Sequence, residues 1–187
     1  MNGGSGLSPR KLRCIAELGV ATNAKLLLQL AVRPARLGGW NGDSVQDVPE
    51  LVVWESTLGQ PGPGSVLTLY TGGRAGTAYP VSTPHGPAPA GVVEPAFRQL
   101  ERVAPGARRA WNGRAFLDAW VDDRWPGGSY AAFLPGQLTR WWVFIGRSDG
   151  AVHFAGEHTS TRSQAFLNGA VESGERAARE VAVKLGG

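Results

Sequence analysis

Apolar positions along the chain follow two rhythms. The run AKLLLQLAV at 24–32 is short and apolar, and Pro34 closes it, which predicts a buried strand. Residues 51–55 and 66–71 flank the turn GQPGPG and predict an antiparallel pair joined by a wide loop. Residues 115–121 read as a strand or extended segment, and 151–155 as a short strand. Helical spacing governs three other stretches. Ser8-Pro9 opens a helix that Gly19 stops. Val93, Phe97 and Leu100 share one face over 92–103, before Pro105-Gly106. The third helix is predicted over 163–185, and Phe166, Ala170, Gly174, Ala177, Val181 and Leu185 form its stripe. Gly169, Ala170, Ser173 and Gly174 make that stripe shallow. An interior glycine costs about 1 kcal/mol against alanine, so the stripe predicts close approach of a sheet or a flat ligand. Loops are expected at 1–8, 38–50, 72–89 and 126–137. There is no internal repeat. The pattern belongs to the α/β class, α+β if the chain is a fragment of a larger protein.

Composition narrows the function classes. Of 187 residues 42% are hydrophobic, which excludes a disordered chain. No apolar run is long enough for a membrane helix, and 1–13 has no apolar stretch of the kind a secretory signal needs. The expected residence is cytoplasmic. One cysteine, Cys14, allows no intrachain disulfide, and with no His or Asn partner nearby it reads as a small hydrophobe. His153 and His158 lack a third ligand at metal spacing, so no metal is expected. The net charge is +4, but the basic residues are scattered and many sit beside acids, as in Glu172–Arg176 and Glu175–Arg179. No basic-aromatic pattern repeats, so nucleic acid is not an expected partner. The glycines at 3–6 lack a third glycine at the required spacing and precede Pro9, so they are not a dinucleotide fingerprint.

One segment is more specific. In VHFAGEHTSTRSQAFLNGAVESGERAA, residues 152–178, an apolar run meets Gly156-Glu157, then a polar loop and the small-residue helix. It closely resembles the carboxyl-terminal FAD-binding signature of flavin-containing amine oxidases. Two further stretches agree in order. LGVATNAKLLLQL, 18–30, resembles the family's active-site lysine segment, and WVDDRWPGGSYAAFLPGQ, 120–137, the segment passing the flavin edge. The resemblance covers nearly the whole chain, and within the family it looks like the bacterial flavin monoamine oxidases.

The resemblance implies the carboxyl-terminal part of an FAD-linked amine oxidase fold, a mixed substrate-domain sheet followed by a final FAD-contacting strand and helix. It divides the chain into a flexible lead at 1–8, a substrate-domain-like region at 9–146 and the FAD-contacting strand-turn-helix at 147–187. Gly156 and Glu157 match the turn near the cofactor's ribityl-pyrophosphate region. Phe166 and Leu167 match the helix start whose backbone N–H meets the flavin C2 carbonyl, and Ala170 belongs to the same signature. Tyr130 and Phe166 match two aromatics facing each other across the substrate channel; Phe replaces the more frequent Tyr at 166. Trp120 matches an aromatic near the flavin ring. Lys25 matches the lysine that holds a water at flavin N5. Ser129 stands where covalently flavinylated members carry Cys, so the FAD implied is non-covalent.

The implied reaction turns amine into imine, then aldehyde and ammonia, with oxygen reduced to hydrogen peroxide. The implied partners are a small amine, oxygen, and either a missing amino-terminal half or a second copy, because the GxGxxG turn that full members use is not found in this sequence. Two alternatives stay open: a non-catalytic truncated remnant or interaction module, and a related flavin oxidoreductase acting on amino acids or other substrates.

Overall fold

Serine before proline is a good helix opening, and the chain uses it. Ser8 Oγ accepts from the Lys11 N–H at 3.3 Å and Pro9 takes the first helical position. The computed structural model describes residues 6–34, 38–47, 50–79 and 81–186. The lead expected at 1–8 therefore lies outside the described residues as far as residue 5, and Ser8 is already a cap. In chain order the elements are α1 (Pro9–Glu17), β1 (Ala24–Leu30), β2 (Ser44–Asp47), β3 (Glu50–Glu55), β4 (Ser65–Thr71), α2 (Gly73–Gly76), β5 (His85–Pro87), α3 (Ala90–Leu100), α4 (Ala107–Ala110), β6 (Trp111–Ala119), α5 (Gln137–Trp141) and α6 (Leu167–Lys184).

The chain divides into two units, Ala21–Ser129 and Met1–Val20 with Tyr130–Gly187. The first is built on one sheet of order β2-β3-β4-β1-β6-β5, and every pairing among the described residues is antiparallel. The expected α/β class is observed, with an antiparallel sheet in place of a mixed one because hairpins and long returns join its neighbours. β1 alternates strictly: Ala24, Leu26, Leu28 and Leu30 are buried while Lys25, Leu27 and Gln29 are half-buried. The buried set packs with Leu67, Leu69 and Leu117 under Val93, Phe97 and Leu100 of α3. Residues 44–47 and 85–87, expected as loop, are edge strands. They carry too few apolar residues to signal strands alone, and pairing with β3 and β6 selects them.

The second unit has little apolar core; Cys14, Trp141 and Ile145 form its buried cluster. A charge organises it instead. Lys11 is 1% exposed. Its Nζ donates to the carbonyls of Phe144 (2.9 Å), Ile145 (3.1 Å) and Arg147 (2.7 Å). It also lies 4.7 and 4.2 Å from the ring centroids of Phe144 and Phe154. Lys11 sits on a helix whose pattern reads as surface, so its burial is a finding of the structure.

Residues 151–155, expected as a strand, make only the isolated bridge Asp149–Val152. A strand needs a neighbour, and the described residues of this unit contain no other strand segment beyond the single bridge Val20–Ala131. The buried face of α6 also differs from the expected stripe. Gly169 and Ser173 are buried, and Leu185 is 82% exposed. Polar groups decide this. Arg176 donates to the carbonyls of Gly146 (3.0 Å) and Phe154 (2.8 Å), and Glu180 accepts from Arg176 at 2.7 Å and from Ser148 at 2.5 Å. Those bonds, with His153, pull the Glu180 carboxyl down to about 2.

Replacing Lys11 by Met would leave three carbonyls without their donor, at a cost of about 3–5 kcal/mol by analogy with a broken buried ion contact. Urea unfolding followed by circular dichroism of Lys11→Met is expected to read a loss of that size; a change under about 1 kcal/mol contradicts the role.

Candidate functional site

The segment that carried the strongest sequence signal folds as a tight turn against the start of α6. Gly156 sits at φ 129°, and a Cβ there would fall 2.4 Å from the His158 ring, so only glycine fits. Ser173, from the second turn of α6, closes the turn: its Oγ lies 2.9 Å from both the N–H and the carbonyl of Gly156. Gly169 lets the helix approach the preceding loop, since a Cβ there would meet the Ser163 carbonyl at 2.1 Å. Gly174 has nothing within 4 Å of a Cβ, so among the described residues its open position is not a packing requirement. Burial pushes the His158 imidazole down, against the pull of Glu157.

Glu157 ties three segments together. One carboxylate oxygen accepts from the Ala131 N–H at 2.8 Å, the other from the Ala165 N–H at 2.7 Å. These amides belong to the residues immediately beside Tyr130 and Phe166. A single carboxylate thus sets the two aromatic-bearing loops against each other. Ala165 pays for the bend: it holds φ 66°, a region in which a residue with a Cβ is strained by about 1–3 kcal/mol. Each carboxylate oxygen accepts one bond from the protein and keeps a second lone pair for the expected cofactor contact.

α6 begins at Leu167 with Phe166 as its cap residue, and no side chain caps it. The Phe166 N–H donates to the Ser163 carbonyl (3.3 Å) and the Gly169 N–H to the Phe166 carbonyl (3.0 Å), so among the described residues the N–H groups of Leu167 and Asn168, at the positive end of the dipole, are left for another acceptor. Phe166 is 70% and Leu167 86% exposed beside this end. Tyr130, Gly156, Glu157, Phe166, Leu167 and Ala170 are thus brought to one place in this unit.

Lys25, Trp120 and Ser129 belong to the sheet unit. Lys25 stands on the face of β1 away from the core and is half-buried. Register places it in a row that crosses all six strands, Val45–Val52–Tyr70–Lys25–Asp118–His85. Directly opposite residues of antiparallel strands project from the same face, so this is one continuous strip. Lys25 Nζ lies 6.0 Å from the Tyr70 ring centroid. Trp120 follows the end of β6, and its ring meets that of His85 at 4.8 Å, nearly edge on. Ser129 is spent locally: its Oγ donates within reach of the Ala21 carbonyl (3.1 Å) and Asn23 Oδ1 (2.7 Å).

His85, Asp118, Asp123 and Tyr70 were not singled out from the sequence. Strand register and the turn after β6 bring them together, and no local spacing marks them. An apolar cavity of about 280 Å³ lies on the other, core face, under Val92 and Ala96, with Thr71, Tyr79 and Gln99 as its polar points. It holds no charged group and stands apart from the Lys25 row. Among the described residues no group of three or more His, Cys, Asp or Glu could hold a metal, and no helix is long and apolar enough to cross a membrane.

Comparison with known proteins adds an independent line. Residues 4–182 match the family model described as flavin containing amine oxidoreductase. Over 68 residues the chain is 43% identical to flavin-containing amine oxidase A of Equus caballus, covering 36% of this chain and 13% of that protein. Over a segment of 68 residues it is 41% identical to flavin-containing amine oxidase B of Cavia porcellus, again 36% of this chain and 13% of that protein. Among solved structures, cyclohexylamine oxidase from Brevibacterium oxydans IH-35A superposes with a TM-score of 0.79 at 21% identity, over 97% of this chain and 39% of that one. Wild-type putrescine oxidase bound to putrescine gives 0.79 at 19% identity, over 95% of this chain and 38% of that one. The superpositions establish a shared fold, and the chain spans about two fifths of the length of these solved relatives.

Glu157→Gln leaves one amide oxygen to serve two N–H donors. Hydrogen exchange at the Ala131 and Ala165 amides is expected to accelerate about tenfold or more, equivalent to about 1.4 kcal/mol. Unchanged exchange at both amides contradicts the bridge.

Proposed function

Because the chain belongs to the family of flavin containing amine oxidoreductases, we propose that it acts in FAD-dependent oxidation of a small amine to an imine, which water converts to aldehyde and ammonia while oxygen is reduced to hydrogen peroxide. The observation that carries this reading is the uncapped start of α6, set beside the Gly156 turn and flanked by Phe166 and Leu167. A flat ring with an acceptor at its edge fits that end: the helix supplies N–H donors and its exposed apolar side chains supply contact surface.

When bound, FAD supplies the acceptor for the hydride equivalent that leaves the amine's α-carbon. The chain's own groups do the rest. The N-terminus of α6 stabilises negative charge gathered at the ring edge by about 0.3–2 kcal/mol, depending on burial. Tyr130 and Phe166 wall the approach of a neutral amine and exclude water. Phe166 does this without the hydroxyl a Tyr would bring. Lys25 holds a water by its ammonium, and Trp120 provides an aromatic surface near the ring. Attachment is non-covalent in this reading: Ser129 offers no thiol and its Oγ is engaged with Ala21 and Asn23, while Cys14 is buried. The proposed residence is cytoplasmic. The apolar residues Leu167, Val171, Val181 and Leu185 on α6 are exposed and fall at spacings of four, ten and four. They support a companion polypeptide carrying the rest of the fold, or a second copy, as partner. The same stripe favours the second reading, an interaction module without catalysis.

Purified chain is loaded with excess FAD, desalted and examined by visible absorption. A retained flavin spectrum that bleaches when an amine is added under nitrogen supports catalysis by this chain, and a colourless protein overturns flavin binding by the chain without its companion. In the loaded protein Lys25→Met is expected to slow bleaching or reoxidation by about tenfold, close to 1.4 kcal/mol in barrier, with the circular dichroism spectrum unchanged. An unchanged rate rejects the role of Lys25.

A further inference from the structure

The Lys25 row ends in an arrangement that the amine oxidation reading does not use. His85 on the edge strand β5 has both ring nitrogens on carboxylates. Nδ1 lies 2.8 Å from Asp118 Oδ1 and Nε2 lies 3.1 Å from Asp123 Oδ2. Asp118 is its cross-strand neighbour on β6, whereas Asp123 comes from the turn after β6. That turn is the one carrying Trp120, whose ring packs edge-on against His85 at 4.8 Å. Asp123 is itself fixed in the turn, its other oxygen accepting from the Trp125 N–H at 2.9 Å. All three polar side chains are two-thirds or more covered, at 30%, 24% and 20% exposure for His85, Asp118 and Asp123.

A neutral imidazole has one donor and one acceptor, but two ionised carboxylates offer acceptors only. Both contacts are satisfied at once only when the ring carries two protons. We propose that His85 is a positioning residue: as an imidazolium it bridges Asp118 and Asp123, pins the turn bearing Trp120 to the sheet, and releases that turn when the ring gives up its second proton. The importance of Trp120 to flavin rests on the function proposed above; the bridge itself does not.

The surrounding charges favour the doubly protonated ring. Asp118 and Asp123 raise the His85 value above the ordinary one, with burial opposing them weakly. The other charged groups nearby are Lys25, opposite Asp118 on β1, and Asp122 and Arg124 in the turn of Asp123; the two cations keep the carboxylates ionised and the Asp122 carboxylate adds to the negative side. Asp123 is in turn held below the usual carboxylate range, first by the Trp125 N–H and then by His85. The direction of the pH effect follows. The folded value lies above the unfolded one of about 6.5, so the tie is fully present below that pH and is lost as pH rises through the higher folded value.

The full chain labelled with 5-fluorotryptophan and with ¹⁵N histidine tests this without any flavin. Trp120→Phe identifies the Trp120 fluorine resonance and His85→Gln the His85 ring signals. Both His85 nitrogens are expected to be protonated in the bridged state, with a midpoint above about 6.5. The Trp120 resonance is expected to move with that same midpoint. Asp123→Asn should lower the midpoint, and His85→Gln should abolish the pH step of Trp120, since the Gln amide does not titrate and both its N–H donors sit on one nitrogen. A His85 midpoint at or below about 6.5, or a Trp120 resonance indifferent to the His85 titration, overturns the proposal. Should His85→Gln fail to fold, the wild-type co-titration and Asp123→Asn decide. Failure here with a flavin that still bleaches removes only the positioning role. A colourless protein with intact co-titration removes only the flavin reading.

Discussion

The candidate site hangs on one carboxylate. Glu157 accepts from the Ala131 and Ala165 amides, and so joins the loop of Tyr130, the Gly156 turn and the start of α6. Without that bridge Ala165 has no evident reason to hold φ 66°, and Phe166 would not enter the helix at its present angle. Ser173 supplies the second fastening by gripping Gly156 at both its N–H and its carbonyl. What results is an uncapped helix end with exposed apolar residues around it. Elsewhere in a protein such an end would be capped by Ser, Thr, Asp or Asn. Here the cap position is Phe166, which offers contact surface instead of a hydrogen bond.

The two units reach order by different means. In the sheet unit, alternation on β1 separates an apolar face under α3 from a half-buried face that carries the Tyr70–Lys25–Asp118–His85 row. Hydrophobic burial drives the first face and leaves the second available for chemistry. In the helical unit the buried apolar set is small, and Lys11, Arg176 and Glu180 gather backbone carbonyls and side chains of the connecting segments. Such polar fastening specifies loop geometry closely, which suits a segment whose task is to present a turn and a helix end.

Much of this was legible in the amino-acid order. Strands β1, β3 and β4 and helices α1 and α3 follow their apolar spacing to within a few residues, because local pattern and burial agree there. The Gly156–Glu157 turn and the small residues of α6 were visible as a motif. Three things were not legible. Edge strands β2 and β5 exist through their neighbours' pairing. The buried side of α6 is chosen by Arg176 and Glu180 reaching polar partners, which a count of apolar spacing overlooks. The His85–Asp118–Asp123 bridge joins residues up to 38 positions apart through register and a turn. Lys11 is the converse lesson: a lysine on an outwardly polar helix is the most buried charge of its unit because carbonyls and aromatic faces converge on it.

In the proposed function, the start of α6 and the Gly156 turn form the place where an isoalloxazine edge is received. Amide chemical-shift mapping of the ¹⁵N-labelled chain during titration with FAD tests it most directly. The largest shifts are expected on Gly156, Phe166, Leu167 and Asn168. Shifts confined to the lining of the apolar cavity under α3, or no shifts at the α6 start while FAD binds, would contradict it.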